Sequence, residues 1–167
     1  KAVNPINLYG ATKLTSDKLF VAANNLSGKQ KIAFSIVRYG NVVGSRGSVV
    51  QLYKEMISLG KKELPVTDAK MTRFWISLDE AVKFVMFSLE DSKGGEIYVP
   101  KIPAIKVVDV AKAFKNNIKI KIIGIRPGEK LHESLISLQD SLSTVEFKNY
   151  FSITPTIKFP HTKAKLF

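Results

Sequence analysis

The chain contains no cysteine. Disulfides, thiolate nucleophiles and thiolate metal sites are therefore excluded, and the composition suits a reducing, cytoplasmic setting. The only histidines are His132 and His161. Neither has ligand-spaced neighbours, so no metal centre is expected. No apolar run approaches the ~20 residues that span a bilayer, so no membrane partner is expected. The opening Lys1-Ala2-Val3-Asn4-Pro5 is not followed by the apolar stretch of a secretory leader, and none is expected. Neither GxSxG nor a P-loop occurs. No GxGxxG follows a strand pattern, so the phosphates of a dinucleotide would need a loop lying ahead of this sequence.

Acidic residues are scarce, 14 against 26 basic ones, giving a formal net charge of +12. Such an excess can mark a nucleic-acid partner. Here the lysines are scattered along amphipathic segments and form no stripe, so no nucleic acid is expected. Only four basic residues are Arg: Arg38, Arg46, Arg73 and Arg126. Arg offers a planar fork of donors that grips phosphate bidentately, whereas Lys is a point charge. In a Lys-rich chain each Arg marks either that geometric need or a structural ion pair.

What is present reads as an α/β chain. With 45% hydrophobic and 24% charged residues over 167 positions, it can bury a real core. Asn4-Pro5 signals a turn, and Leu8 to Asn24 reads as a helix with Leu14, Leu19, Phe20 and Ala23 at helical spacing. Ser27-Gly28 breaks it. Ile32 to Tyr39 is a compact apolar strand expected to be buried and parallel. A polar, Gly-rich loop from Gly40 to Gly47 follows, and Ser48 caps a helix reaching about Leu59. Glu63 to Thr67 and Thr72 to Ile76 read as short strands. Ser77 and Glu80 form a capping-box pattern for a helix from Leu78 to Leu89, with Ala81, Phe84, Val85 and Phe87 or Leu89 expected inside. Then come a strand at Glu96 to Pro100, a helix at Val107 to Phe114, a strand at Ile118 to Ile125, and a helix from Pro127 to Ile136. The tail, Phe147 to Phe159, has strand-like stretches around prolines. Alternating helices and strands argue for α/β.

Four clusters carry chemistry. Tyr9 and Lys13, at i and i+4, share a helix face, where an ammonium one turn from a phenol favours the phenolate and suits it to take a proton from a hydroxyl. Alone the pair also reads as surface decoration. Asn41 and the loop Gly44-Ser45-Arg46-Gly47-Ser48 lie past the carboxyl end of a strand, where open α/β sheets bind ligands. The loop offers backbone N–H groups and a guanidinium just ahead of a helix, an anion environment or a plain Gly-rich turn. Arg73 sits in an apolar, aromatic strand and needs a partner: a phosphate, or Asp79 or Glu80. Arg126-Pro127-Gly128-Glu129 sets a cation and a carboxylate at a helix start, where Glu129 either caps the helix or accepts from a ribose diol.

Taken in order, Lys1 to Lys13, Arg38 to Ser48, Met71-Thr72-Arg73-Phe74-Trp75 and Arg126 to Lys130 resemble the soluble, C5-inverting UDP-N-acetylglucosamine 4,6-dehydratases, which are extended short-chain dehydrogenases. The resemblance covers nearly the whole chain and is strongest over residues 1–136. It implies the C-terminal part of a Rossmann-type, doubly wound parallel sheet plus a smaller α/β lobe for the nucleotide-sugar. Residues 1–47 would close the dinucleotide-binding domain. Residues 48–167 would be mainly the substrate lobe, with some segments returning to the sheet. The resemblance implies NADP as cofactor, contacted by Tyr9, Lys13, Val42, Val43, Gly44, Ser45 and Arg46. Lys1, Tyr9 and Lys13 would be catalytic. Asn41, Arg73, Arg126 and Glu129 would hold UDP-N-acetylglucosamine. The implied reaction oxidises carbon 4, removes water across carbons 5 and 6, and reduces carbon 6, opening pseudaminic acid synthesis for flagellin glycosylation. A homo-oligomer is implied for the full-length protein. Membrane-anchored relatives carry Met where Tyr9 stands. Because the chain opens inside a motif, a preceding segment is expected, and the isolated chain is expected to be inactive. Another epimerase or dehydratase of the superfamily, an inactive binding remnant, and a basic binding module are the competing expectations.

Overall fold

The computed structural model describes residues 1–26, 32–115 and 117–157. The turn at Ser27-Gly28, the last part of the strand-like tail and His161 lie outside the described residues. In chain order the elements are helix α1 (Leu8–Ala23) with a 3-10 turn (Asn24–Leu26), strands β1 (Ile36–Val37) and β2 (Asn41–Val42), helix α2 (Val49–Ser58), and strands β3 (Glu63–Val66) and β4 (Thr72–Ile76). Helix α3 (Leu78–Asp91), strands β5 (Ile97–Pro100) and β6 (Ala104–Lys106), helix α4 (Val107–Phe114), strand β7 (Lys119–Ile122), the short helix α5 (Leu138–Ser141) and strands β8 (Thr144–Glu146) and β9 (Tyr150–Ile153) complete it. None of these helices is long and apolar enough to cross a membrane. The chain divides into two compact units: Lys1–Tyr39, Asp79–Lys101 and Ser134–Phe167 form the first, Gly40–Leu78 and Ile102–Glu133 the second.

The first unit is built on a sheet of order β1-β5-β9-β8. β1 runs parallel to β5, pairing Ile36 with Ile97 and Val37 with Tyr98. β9 is antiparallel to both β5 and β8. Side chains alternate across β5. Ile97 and Val99 pack with Ile153 in a cluster that Val21 of α1 covers. Tyr98 faces the other way, meeting Phe87 of α3 edge-to-face at 6.3 Å and donating its hydroxyl to Asp91 at 2.9 Å. Burial first, then the Asp91 carboxylate, pushes the Tyr98 phenol far up and keeps it neutral. Helices therefore cover both faces of the parallel pair, the doubly wound α/β arrangement.

The second unit has a sheet β2-β4-β6 and a parallel ribbon β3-β7. Its core gathers Tyr53 of α2, Leu64 and Val66 of β3, Met71, Val107 and Ala111 of α4, and Ile118. Tyr53 is fully buried, and its hydroxyl donates to the Pro65 carbonyl at 2.7 Å. Gly40 is required sterically: a Cβ there would lie 2.4 Å from the Phe74 carbonyl oxygen.

Three expectations need correction. No helix forms over 127–136; the segment is a run of turns. Gly128 takes φ 76°, the left-handed region, and the carbonyls of Lys130 and Leu131 are engaged by Arg73 instead of a helix ladder. On α3 only Ala81 and Ser88 are buried, while Leu89 is 69% exposed and Val85 and Phe87 are partly open. The strand expected at Ile32 to Tyr39 reduces to two paired residues and is only half-buried. β6, α5 and β8 were not expected, and the loop expected from Gly40 contains β2. The other helices and strands fall within a few residues of their expected bounds.

Candidate active site

In the first unit, α1 is started by Asn7, whose side chain accepts from the Gly10 N–H at 2.8 Å. Tyr9 and Lys13 follow on one face, and the Lys13 ammonium lies 5.6 Å from the Tyr9 ring centroid. Tyr9 is 60% exposed, so its phenol is reachable from outside. Gly10 is buried, and a Cβ on it would come 2.8 Å from the Lys1 carbonyl. The Lys1 backbone is thereby seated against the first turn of α1. Lys1, Tyr9 and Lys13 share one end of this helix.

The far half of α1 is fixed by Arg38, the residue after β1. Its guanidinium donates to Asp17 and to Asp140 at 2.8 Å each, and to the Leu135 carbonyl at 3.4 Å. Arg38 is buried, so this is an ion-pair cluster and not a phosphate fork. Burial alone would raise the Asp140 carboxyl, but the hydrogen bonds and charge of Arg38, with the Ser137 hydrogen bonds, hold it below the usual carboxylate range. Asp17 and Asp140 were missed from the sequence. Asp17 stands one turn beyond Lys13, and Ser137-x-x-Asp140 is a capping box that the sequence does display.

In the second unit, Asn41 and Val42 pair in parallel with Trp75 and Ile76. Val43 continues the ladder, donating its N–H to the Ile76 carbonyl at 2.9 Å. The next residues form a tight turn with Gly44 at φ 76° and Gly47 at φ 70°. Gln51 donates to the Gly44 carbonyl at 2.9 Å. Ser45 and Arg46 point outward and are exposed. Val43 lines an apolar cleft of about 390 Å³ with Val50, Trp75, Ile105, Val110 and Phe114.

Arg73 is buried in β4. It donates to the carbonyls of Thr72 (2.7 Å), Lys130 (2.9 Å) and Leu131 (3.2 Å), and its charge faces Glu129 at 3.7 Å. Its acidic partner is thus Glu129, not Asp79 or Glu80. Arg126 is open to solvent, and its Nε reaches the other Glu129 oxygen at 3.4 Å. Glu129 therefore sits between a buried guanidinium and an exposed one, within a turn that Arg73 ties to β4. Among the described residues no group of acidic and His side chains could hold a metal.

Residues 1–155 match the family model described as polysaccharide biosynthesis protein. The chain belongs to that family. Within it, the chain is 62% identical over 159 residues to the UDP-N-acetylglucosamine 4,6-dehydratase (inverting) of Campylobacter jejuni, covering 95% of this chain and 48% of that relative. The chain thus spans about half the length of the curated relatives it matches. Among solved structures, Pen from Bacillus thuringiensis superposes with a TM-score of 0.84 at 38% identity, over 93% of this chain and 50% of that one. DesIV, a dTDP-glucose 4,6-dehydratase from Streptomyces venezuelae, superposes with a TM-score of 0.63 at 20% identity, over 76% and 41%. The shared fold is the Rossmann type of these enzymes.

Proposed function

We propose that this chain is the C-terminal half of a C5-inverting UDP-N-acetylglucosamine 4,6-dehydratase. The identity of 62% to the Campylobacter enzyme over 95% of the chain carries this reading. The first unit would belong to the dinucleotide-binding domain and the second to the nucleotide-sugar lobe. The residues here suit the nicotinamide end of an NADP cofactor, since Tyr9 is exposed and stands beside Lys13. The phosphate-binding loop would come from the preceding half.

A bound nicotinamide cofactor supplies the oxidation at carbon 4 and the later reduction at carbon 6. Tyr9, with the Lys13 ammonium beside its ring, takes the proton of the carbon 4 hydroxyl. The carbon 4 ketone acidifies carbon 5, and Lys1 lies in the stretch that handles the loss of water. Asn41 contacts the sugar, and Val42 to Arg46 form the wall against the cofactor. Arg126 takes the diphosphate, Glu129 orients it and the nucleoside, and Arg73 holds the turn that carries both. The product enters surface-glycan synthesis of the pseudaminic acid type in the cytoplasm.

The deciding experiment joins the chain to its upstream half and incubates the purified protein with UDP-N-acetylglucosamine, with product stereochemistry read by NMR. A 4-keto-6-deoxy sugar inverted at carbon 5 supports the proposal. A 4-epimer or retention at carbon 5 assigns another activity of the superfamily. No turnover from a folded protein that binds UDP makes it a binding remnant.

A further inference from the structure

Among the described residues, two that are not glycine take a left-handed backbone: Asn4 at φ 45° and Asn117 at φ 63°. Asn117 lies in the turn between α4 and β7, an ordinary place for that conformation. Asn4 is less ordinary, because Pro5 follows it. A proline ring disfavours helical backbone in the residue before it and pushes that residue toward extended conformations. Asn tolerates the left-handed region better than most side chains. A backbone held off its local preference persists only where the surroundings fix it, and such residues cluster at functional sites.

The surroundings of Asn4 are the first turn of α1. A Cβ on Gly10 would lie 2.8 Å from the Lys1 carbonyl oxygen and 2.9 Å from the Pro5 Cβ. Both arms of the bend at Asn4 thus close on one bare Cα, that of the residue after Tyr9. Ala2 and Val3 are buried, while Lys1 itself is exposed. The bend therefore delivers an exposed lysine to the end of α1 that carries Tyr9 and Lys13.

We infer that Asn4 is a positioning residue: its left-handed backbone folds the opening segment onto Gly10 and so holds Lys1 in place for the loss of water. The inference rests on the dehydratase reading above. An extended residue at position 4 would swing Lys1 away from α1 and leave Tyr9, Lys13, Arg126 and Glu129 where they are.

The test is a series at position 4 in the protein joined to its upstream half: Asn4→Gly, Asn4→Ala and Asn4→Val. Gly takes the left-handed region freely, Ala at a cost, and a β-branched side chain scarcely at all. With UDP-N-acetylglucosamine, kcat should hold in Asn4→Gly, fall in Asn4→Ala and fall about 100-fold in Asn4→Val, the scale of a misplaced catalytic group. KM should stay within about twofold of the parent, because the groups that hold the substrate are undisturbed. Tyr9, not Lys1, serves the oxidation at carbon 4, so the slowed variants should accumulate reduced nicotinamide, read by its absorbance. A nuclear Overhauser contact between Lys1 and Gly10 should appear in the parent and in Asn4→Gly and vanish in Asn4→Val. If Asn4→Val does not fold, Asn4→Ala must still be slower than Asn4→Gly for the inference to stand. Turnover that falls only in proportion to the folded fraction overturns it and makes Asn4 a structural turn. So does an Overhauser contact that survives in Asn4→Val, or an Asn4→Gly protein as slow as Asn4→Val. A parent protein that makes another product, while the Overhauser contact follows the same series, keeps the seating of Lys1 by Asn4 and removes the dehydratase reading instead.

Discussion

Arg38 and Asp17 meet at 2.8 Å inside the first unit, with side-chain exposures of 7% and 12%. Asp17 follows Lys13 by one turn and Tyr9 by two, on the same face of α1. The pair therefore sets the roll of the helix that presents the phenol. The same guanidinium holds Asp140 at 2.8 Å, so one cation serves two carboxylates out of water.

Removing that cation leaves both carboxylates uncompensated. Arg38→Met should cost about 3–5 kcal/mol in denaturant unfolding, as for other buried pairs broken from one side. The acid limb gives a sharper reading. The folded Asp140 carboxyl lies below its usual value. Its contribution to stability is therefore complete above a pH of about 4 and is lost as pH falls further. In Arg38→Met the Asp140 carboxyl keeps its burial without its cation and prefers the proton, so stability should rise as pH falls toward about 4. An unchanged acid limb would show that Arg38 does not control Asp140.

Gly40→Ala tests a purely steric demand. The new Cβ would press on the Phe74 backbone and side chain at 2.4 and 2.5 Å. Backbone in β4 cannot swing aside as a side-chain end can, so a loss of about 1–3 kcal/mol or more is expected. Thermal unfolding of the variant checks this, and a neutral effect would mean that β2 and β4 can part locally.

The sequence showed regular elements well and side-chain partnerships poorly. α4 and β4 occupy the expected residues, because their apolar spacing is local and strong. The failure over 127–136 has a long-range cause: Arg73, more than 50 positions earlier, takes the carbonyls of Lys130 and Leu131. Arg38 was legible as an unusual Arg but not as an ion pair, since Asp140 stands 102 positions away. The motif Tyr9-x-x-x-Lys13 was legible because both residues lie on one helix turn. The exposure of α3 could not be foreseen from its pattern. Periodicity identifies an apolar face but not whether anything covers it.

Arg73 and Arg126 should separate by variant. Arg73→Ala removes a buried guanidinium with three carbonyl contacts, so it should lower stability by about 3 kcal/mol or more and weaken UDP binding indirectly. Arg126 is 73% exposed, and Arg126→Ala should leave stability within about 0.5 kcal/mol. If Arg126 takes the diphosphate, its loss should weaken UDP binding about 10-fold or more, by calorimetric titration of the joined protein. Equal effects of the two variants on stability would refute this division of labour.

Tyr53 provides the alkaline counterpart to Asp140. Burial pushes its phenol up to about 12 from 10, so the folded state holds this proton more tightly than the unfolded chain. The stability this gives is complete below a pH of about 10 and is lost as pH climbs toward 12. The second unit should therefore loosen in that window, seen as phenolate absorbance rising together with loss of near-ultraviolet circular dichroism. Tyr53→Phe removes the ionisation but also the bond to Pro65, leaving that carbonyl without its phenolic donor. It should cost about 1–2 kcal/mol at neutral pH and flatten the alkaline decline. A variant that loses neutral stability yet keeps the full alkaline decline would assign the transition to Tyr98, whose phenol in the first unit is also raised by burial.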